Sequence, residues 1–326
     1  MKAIAISRPG GPEVLEIVGR EKPAPDAGEI LVRVEAIGVN RPDVQQRRGL
    51  YPPPPGASDL PGLDIAGTIE AVGEGVDASR IGEKVCALAN GGGYAEYCAV
   101  PAVQAMPIPE GLSVVEGASL PEVFFTAWNN VVWLGRLAKG ERLMVQGGTS
   151  GVGIAALQIA RHLFDAETYA TAGSEEKRTV CRELGVKIAV DYHDADWPEQ
   201  IRAAAGGGGM DIILDGQAGP YTQKQLDLLA FDGRLVLIAS HLGETSAVNT
   251  RQLVRRRLTL TGSTLRPRSA EYKGRIASEL VEKVWPLLAD GTIRTRIHAV
   301  FAFDEMPQAH AMLDRNEQIG KIVVTV

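Results

Sequence analysis

The chain contains Gln146-Gly147-Gly148-Thr149-Ser150-Gly151-Val152-Gly153 between an apolar run, Arg142–Val145, and a segment with helical apolar periodicity, Ile154–His162. Glycine permits the positive φ of a tight turn and lets the backbone approach a ligand closely. Free N–H groups and the dipole at the start of a helix attract negative charge. A strand, a glycine turn and a helix in this order predict a cradle for the pyrophosphate of a dinucleotide, with Gly151 in the turn.

Length and composition restrict the class of protein. At 326 residues the chain exceeds what one hydrophobic core usually supports, which predicts two domains. Hydrophobic residues are 45% and charged residues 23% of the chain, and the formal net charge is −6, which is typical of a compact protein that does not bind polyanions. No apolar run is long enough for a signal peptide or a membrane span. We therefore expect a cytoplasmic protein.

The possible metal ligands are few and scattered. Cys86, Cys98 and Cys181 form no CxxC pair, and the five histidines show no HxH or HxxxH spacing. Neither a disulfide framework nor a zinc site can be assembled from this pattern. The sequence predicts reduced, mostly buried thiols and no metal.

The apolar pattern changes near residue 126. Before it, short β-type runs such as Ile30–Ala36, Asp64–Val72 and Glu83–Leu88 are separated by Gly and Pro, and Gly49–Gly56, with four prolines, is predicted to be an exposed loop. After it, six short apolar runs alternate with helical or loop segments, as in a doubly wound parallel sheet. These runs are Arg142–Val145, Thr168–Thr171, Ile188–Val190, Asp211–Asp215, Arg234–Ala239 and Leu258–Thr261.

The end of the chain resembles its beginning. Two helices, roughly 271–289 and 304–314, precede a predicted strand, Lys321–Val326. Because this strand is of the type found in the first part, we expect the terminus to return to the first domain. The cofactor domain is then an insertion, with a cleft between the two domains.

The residues after the second run indicate the cofactor. An Asp or Glu about 20 residues beyond the glycines would bind the ribose of NAD, but this chain has Gly173-Ser174-Glu175-Glu176-Lys177 there. A hydroxyl at Ser174 and an ammonium at Lys177 suit the 2′-phosphate of NADPH, while the glutamates fit the first turn of a helix. The alternative for Lys177 is a solvated surface lysine. Tyr192 is expected over the adenosine, or as a simple strand-end tyrosine.

Seven motifs occur in the order found in zinc-free medium-chain dehydrogenases/reductases, and the chain resembles the quinone oxidoreductase family from residue 1 to 326. They are Asn40–Asp43, Gln46–Tyr51, Pro61–Gly67, Pro121-Glu122 with Thr126–Trp128, Gly147–Gly153, Gly262–Arg266 and Ile319–Ile322. The resemblance implies an α/β protein in which a Rossmann doubly wound parallel sheet domain, 126–265, is inserted into a mostly β GroES-like catalytic domain made of 1–125 and 266–326.

The departures from the zinc alcohol dehydrogenases also matter. Where those relatives carry a cysteine, a GHE triplet and a four-cysteine lobe, this chain has Gly38-Val39-Asn40, Gly62-Leu63-Asp64 and the short Leu88–Tyr94 link. Without a Lewis acid, alcohol oxidation is a poor fit, whereas a conjugated acceptor that takes hydride from NADPH is a good one.

The resemblance also assigns residues to the two partners. It implies that Thr126, Leu265, Arg266 and Asn316 lie near the nicotinamide and its ribose, and that Asn40, Asp43 and Tyr51 face the substrate. Asn40 and Asp43 could instead order a turn, and Tyr51 could donate a proton, stack on a flat ring or only pack. The other predicted cofactor residues are Gly147, Gly148, Thr149, Ser150, Gly151, Val152, Gly153, Gly173, Ser174, Lys177 and Tyr192.

The function expected from these features is NADPH-dependent reduction of a quinone or related conjugated carbonyl. Two alternatives remain: a 2-enoyl-thioester or enone reductase, and a non-enzymatic NADPH- or RNA-binding protein of the zeta-crystallin type. Arg251 and Arg255–Arg257 form a basic cluster, which we interpret as a solvated face rather than a nucleic-acid site. The resemblance implies a homodimer formed by the edge strand Leu258–Gly262.

Overall fold

All residues from Met1 to Val326 are described by the computed structural model. They divide into two units, Met1–Phe125 with Leu265–Val326 and the continuous segment Thr126–Thr264. None of the helices combines the length and the apolar character needed to cross a lipid bilayer.

Fifteen strands form three sheets of two, six and seven strands. In chain order they are β1 (Lys2–Ile6), β2 (Leu15–Gly19), β3 (Glu29–Val39), β4 (Asp64–Val72), β5 (Lys84–Leu88), β6 (Tyr97–Pro101), β7 (Ala105–Pro107), β8 (Arg142–Gln146), β9 (Glu167–Thr171), β10 (Ile188–Val190), β11 (Met210–Asp215), β12 (Leu229–Leu237), β13 (Thr259–Gly262), β14 (Ile297–Ala302) and β15 (Lys321–Thr325).

Eleven α-helices connect these strands, together with short 3₁₀ turns and a π-helical segment, Trp128–Leu134. The α-helices are α1 (Arg41–Arg47), α2 (Val114–Gly117), α3 (Pro121–Ala127), α4 (Gly151–Phe164), α5 (Glu175–Glu183), α6 (Trp197–Ala204), α7 (Thr222–Leu228), α8 (Thr250–Arg256), α9 (Ala270–Lys283), α10 (Trp285–Ala289) and α11 (Met306–Asp314).

The 126–264 unit is a doubly wound sheet in the order β10-β9-β8-β11-β12-β13, with every neighbouring pair parallel. Each of the six predicted runs overlaps one of these strands, although Arg234–Ala239 extends two residues beyond β12 and Leu258 precedes β13. Tyr169, Trp197 and Ile213 are among the fully buried side chains of its core. The strand order reverses between β8 and β11, so the crevice beyond their carboxyl ends is the expected dinucleotide position. The predicted Rossmann sheet is confirmed.

The other unit is mostly β. Its larger sheet runs β14-β15-β3-β4-β5-β7, with β6 also paired to β3, and all pairs except β14 with β15 are antiparallel. The last strand, β15, pairs with β3 through Val324 opposite Ile37. The C-terminal strand therefore completes a sheet begun near residue 29, as the sequence predicted.

One predicted helix is wrong. The segment expected to be a single helix over 271–289 is two helices, α9 ending at Lys283 and α10 beginning at Trp285. Pro286 has no N–H to donate and its ring clashes with the preceding turn, so a continuous helix cannot pass through it. The Trp285 ring is buried here, and its Nε1 donates to the carbonyl of Pro107 at 2.7 Å.

Candidate functional site

The glycine turn leaves β8 and is fastened to the neighbouring strand. The amide of Gly148 donates to the Thr171 carbonyl at 2.9 Å, and the amide of Gly147 donates to Thr171 Oγ1 at 3.1 Å. Gly147 has φ +81°, and a Cβ built on it would meet no atom within 4 Å. The backbone of the turn is therefore held by β9 while one face of it stays open.

Gly151 does not occupy the strained turn position that the sequence predicted. It is the first residue of α4, and the positive φ lies at Gly147. Ser150 caps α4: its Oγ accepts the Gly153 amide at 3.0 Å and donates to the Gly147 carbonyl at 2.9 Å. The Ser150 hydroxyl reaches the Gly147 carbonyl because the chain turns back at Gly147. The residue with positive φ is therefore Gly147, which precedes the helix. The first-turn N–H groups of Gly151 and Val152 have no carbonyl partner within the helix.

Two other glycines allow close packing at the turn, Gly153 between α4 and the turn and Gly148 between the turn and the neighbouring strand. A Cβ on Gly153 would lie 2.6 Å from the Gly147 carbonyl oxygen, and one on Gly148 would lie 2.7 Å from Ala170 Cβ. Thr149, between them in sequence, is buried. The close approach, the open face and the unpaired helical N–H groups are what a pyrophosphate requires, so these residues fit a dinucleotide.

The end of β9 carries the other predicted cofactor residues, and the structure brings them together. A Cβ on Gly173 would meet Tyr192 Oη at 2.3 Å, so the phenol lies directly against the Gly173 backbone. Ser174 caps α5 by accepting the Lys177 amide at 3.3 Å. Lys177 is therefore in the first turn of α5, and burial lowers the pKa of its ammonium.

Sequence reasoning missed the role of Arg178, beside Lys177. Its Nε donates to Glu175 at 3.0 Å, and its Nη1 bonds Asp191, the residue before Tyr192. Arg182 also pairs with Glu175. The Glu175 carboxylate is thus neutralised within its own helix, which agrees with interpreting it as structural. The Glu175-Xaa-Xaa-Arg178 spacing on a helix could have revealed the first of these pairs.

In the other unit, β3, β4 and β15 place a buried polar cluster at the start of α1. Asn40 caps the helix, and its backbone amide donates to Asp43 Oδ2 at 2.8 Å. The Asn40 Nδ2 donates to Asp64 Oδ2 at 2.8 Å. Lys321 Nζ donates to Asn40 Oδ1 at 2.6 Å and to Asp64 Oδ2 at 2.8 Å. Asn40 and Asp43 therefore order this turn, and their predicted contact with substrate stays a prediction.

Asp43 is surrounded by donors. Its Oδ1 accepts the Gly62 amide at 3.2 Å, and its Oδ2 accepts the Asn40 amide at 2.8 Å. Burial nevertheless raises the pKa of Asp43 to about 7, with the nearby charge of Asp64 adding to the effect. Burial also raises the pKa of Glu122, whose backbone amide donates to Asp64 Oδ1 at 2.6 Å, to about 8. At neutral pH part of this cluster is protonated.

A chain of hydrogen bonds fixes the Tyr94 phenol. Arg47 Nη1 lies 3.3 Å from His310 Nδ1, and because arginine can only donate, that nitrogen accepts. His310 Nε2 then carries the proton and donates to Tyr94 Oη at 2.8 Å. Burial holds the pKa of His310 down to about 3, so the ring stays neutral. Asp314 neutralises Arg47 at 2.8 Å.

Tyr51 lies in the proline loop beside Arg266. The ring centroid is 5.5 Å from the guanidinium carbon of Arg266. The loop is neither helix nor strand, as predicted, and Tyr51 is partly buried. The arginine was predicted to lie near the nicotinamide; within its own unit its aromatic neighbour is the Tyr51 ring.

The remaining predicted residues fall in different parts of the molecule. Thr126 is partly buried in the 126–264 unit, where its carbonyl accepts Asn130 Nδ2 at 2.8 Å. Leu265 and Asn316 belong to the other unit, where Leu265 is buried. Asn316 has φ +55°, and its side-chain oxygen accepts a hydrogen bond from Arg41. Their contacts with a nicotinamide stay predictions.

The donor groups do not suit a metal. No cluster of three or more His, Cys, Asp or Glu side chains is arranged to hold an ion. Asn40 and Asp64, which stand in the motifs where zinc relatives carry ligands, are bonded by the Lys321 ammonium instead. All three cysteines are buried, and burial raises the pKa of Cys98 to about 12, so it is not a ready thiolate ligand.

Half of the basic cluster has a structural partner. Arg257 makes two bonds of 2.7 Å to Asp232, and Arg256 donates to the carbonyl oxygens of Leu226 and Asp227 at the end of α7. Cations at the carboxyl end of a helix are favoured by its dipole. These contacts explain two of the four arginines without a nucleic acid.

Two protein-family models match the chain: "Zinc-binding dehydrogenase" over residues 151–282 and "Alcohol dehydrogenase GroES-like domain" over residues 26–110. They cover parts of the two units described above. The first name refers to a metal for which the donor set here is unsuited.

Two relatives match almost the whole of this chain. The quinone oxidoreductase of Rattus norvegicus is 31% identical over 99% of this chain and 97% of the relative. A mycocerosic acid synthase-like polyketide synthase of Mycolicibacterium smegmatis is 31% identical over 99% of this chain, which spans only 15% of that protein's length.

Two solved structures superpose closely. A mycobacterial protein complexed with NADPH has a TM-score of 0.89 and 27% identity, with all of both chains covered. The JamJ enoyl reductase has a TM-score of 0.88 and 25% identity, with 99% of this chain and 98% of that chain covered. The chain therefore belongs to the medium-chain dehydrogenase/reductase superfamily of NAD(P)-dependent oxidoreductases.

Proposed function

We propose that this protein is an NADPH-dependent quinone reductase that works without zinc. The observation that carries the proposal is the Lys321 ammonium, which bonds Asn40 and Asp64 in the two motifs where zinc relatives carry metal ligands. An acceptor that needs no Lewis acid suits such a site, and a quinone or related conjugated carbonyl takes hydride readily. NADPH supplies the hydride, and the rat relative named quinone oxidoreductase supports this acceptor.

The preference for NADPH rests on the end of β9. Glu175 is paired with two arginines, and Lys177 lies in the first turn of α5, four residues after Gly173. A lysine near a 2′-phosphate would contribute a charge-assisted hydrogen bond. The mycobacterial structure complexed with NADPH supports the same cofactor.

The test for this cofactor is Lys177→Ala. We expect NADPH binding to weaken by about 1–3 kcal/mol, the range for a hydrogen bond to a charged group, and NADH binding to change little. Titration of both cofactors by fluorescence measures the difference. Lys187→Ala is the control, because Lys187 is an exposed lysine of the same unit paired with Glu167. Equal losses for NADPH and NADH would show that Lys177 does not bind the phosphate.

Reduction of a 2-enoyl thioester is the second candidate, favoured by the similarity to the JamJ enoyl reductase and to a polyketide synthase. Steady-state assays with NADPH against several quinones, an enone and crotonyl-CoA separate the two. Tyr51→Phe sharpens the comparison, because hydride reduction of a quinone gives an oxyanion that water can protonate, whereas carbon needs a placed acid. A loss of about 10²–10⁴ in rate on crotonyl-CoA, with no quinone turnover in the wild type, would favour the enoyl reductase.

We further propose a homodimer formed through β13. This strand is at the edge of the six-stranded sheet, and Leu260 on it is 36% exposed. Pairing two copies along this edge would satisfy the open backbone groups and cover the leucine. Light scattering should give twice the chain mass for the wild type and a lower mass for Leu260→Lys. A monomeric wild type would contradict the proposal.

A further inference from the structure

Arg266 is anchored on several sides within its own unit. Its Nη1 donates to Gln46 Oε1 at 2.8 Å and its Nε donates to the Asn90 carbonyl at 3.0 Å. Its own carbonyl accepts Lys273 Nζ at 3.1 Å, and the same ammonium bonds the Asn90 side chain. Lys273 is fully buried and Arg266 is 6% exposed. The guanidinium plane therefore has one orientation.

One amino group of this guanidinium is not used by these bonds. The Nη2 atom of Arg266 is buried and has no hydrogen-bond partner. A buried donor without a partner is costly, and arginine cannot lose its charge to relieve it. The aromatic neighbour is Tyr51, 5.5 Å from the guanidinium carbon, and the negative face of a ring attracts a cation at that separation.

The Tyr51 backbone has no regular structure to hold its side chain. The residue lies two positions after Gly49, which has φ +76°, and precedes four prolines in a segment that is neither helix nor strand. Proline fixes its own φ but leaves the χ angles of a preceding tyrosine free. The orientation of the ring must therefore come from a side-chain neighbour, and the anchored guanidinium is one.

We propose that Arg266 is a positioning residue that fixes the ring of Tyr51, so that the pair presents a flat platform for a planar acceptor. The inference rests on the proposed function, in which Tyr51 contacts the acceptor. Gln46 and Asn90 act one step further away, by accepting from the guanidinium, and Lys273 acts by bonding the Arg266 carbonyl and the Asn90 side chain. This gives Arg266 a role toward the acceptor in addition to the contact with the nicotinamide that the family resemblance implies.

A double-mutant cycle tests the proposal. Arg266→Gln, Tyr51→Leu and the double variant are compared for kcat/KM on a quinone with saturating NADPH. Arg266→Gln should lower kcat/KM by about 2- to 30-fold, the range for a cation–π contact, mainly through KM. In the Tyr51→Leu background the same change should have no further effect. Additive losses would show that Arg266 does not act through Tyr51.

Arg268→Gln is the matched control. Arg268 stacks on Tyr272 at 4.9 Å in the same unit, is exposed, and is two residues from Arg266. It should leave kcat/KM unchanged. If Arg266→Gln does not fold, as judged by circular dichroism, Gln46→Leu takes its place in the cycle because it removes one anchor and leaves the arginine. If Gln46→Leu still lowers kcat/KM in the Tyr51→Leu background, the inference is overturned.

A readout that does not need turnover separates this inference from the proposed function. With 3-fluorotyrosine placed at position 51, the ¹⁹F resonance should shift or broaden in Arg266→Gln and not in Arg268→Gln. If the wild type reduces crotonyl-CoA but not quinones, the proposed function fails and the cycle is run on that substrate. If it reduces neither, the ¹⁹F spectrum decides alone: an unchanged resonance in Arg266→Gln would refute the positioning role.

Discussion

Replacing Lys321 by Met should destabilise the sheet of the larger β unit. Lys321 is 4% exposed and Asp64 is fully buried, so the change leaves a buried carboxylate without its cation. Breaking a buried pair in this way typically costs about 3–5 kcal/mol. Asp64 keeps two donors, Asn40 Nδ2 at 2.8 Å and the Glu122 amide at 2.6 Å. We therefore expect the lower end of the range, about 3 kcal/mol, or roughly 100-fold in the equilibrium for local opening.

Amide hydrogen exchange measures this loss where it should occur. The amides of β3 and β15 should exchange up to about 100-fold faster in Lys321→Met, while those of β8 and β9 serve as an internal reference because they belong to the other unit. Adding Asp64→Asn should restore most of the protection, since it removes the uncompensated charge. Lys187→Met breaks an exposed pair and should leave the exchange of the β3 and β15 amides unchanged. Unchanged exchange in β3, or no recovery in the double variant, would refute the reasoning.

Two further predictions follow from the geometry. Gly153→Ala should lower NADPH affinity at least tenfold and reduce the melting temperature, because the new Cβ would lie 2.6 Å from a backbone oxygen. The control is Gly19→Ala, where a Cβ meets nothing within 4 Å. Wild-type NADPH affinity in Gly153→Ala would place the pyrophosphate cradle elsewhere. The pKa of Asp43 is raised to about 7 from an ordinary value of 3.8, so its protonated form favours folding and that contribution is lost as pH rises between these values. Urea titrations between pH 4 and 7 measure the free energy of unfolding, which should decline less with pH in Asp43→Asn than in the wild type. Equal declines in the two proteins would contradict the raised pKa of Asp43.

The regular elements could be predicted because each depends on nearby residues. The apolar runs of β8 to β11 and the glycines between 147 and 153 lie within short windows, and their chemistry is local. Gly151 was misplaced because the turn is closed by Ser150, whose hydroxyl bonds the Gly147 carbonyl, and the spacing of glycines does not show which one turns the chain. Helices α9 and α10 were predicted as one helix over 271–289, because the apolar period continues through Pro286.

The buried polar cluster could not be assembled from the sequence. Lys321 is 281 residues from Asn40 and 257 from Asp64, and it meets them only because β15 pairs with β3 beside β4. No local pattern marks a lysine in an apolar strand as the partner of two residues so distant. The same is true of Arg266 and Gln46, which are 220 residues apart.

The position of β15 in the middle of its sheet, between β14 and β3, affects the order in which the protein can fold during synthesis. The 126–264 unit is continuous and can fold as soon as it has left the ribosome. The seven-stranded sheet cannot close until residue 325 has been made, so the Ala36–Val39 part of β3 waits without its β15 partner through the translation of some 280 residues. At about 5–20 residues per second this exposure lasts roughly 15–60 s, a period in which chaperone binding to that edge would protect the nascent chain.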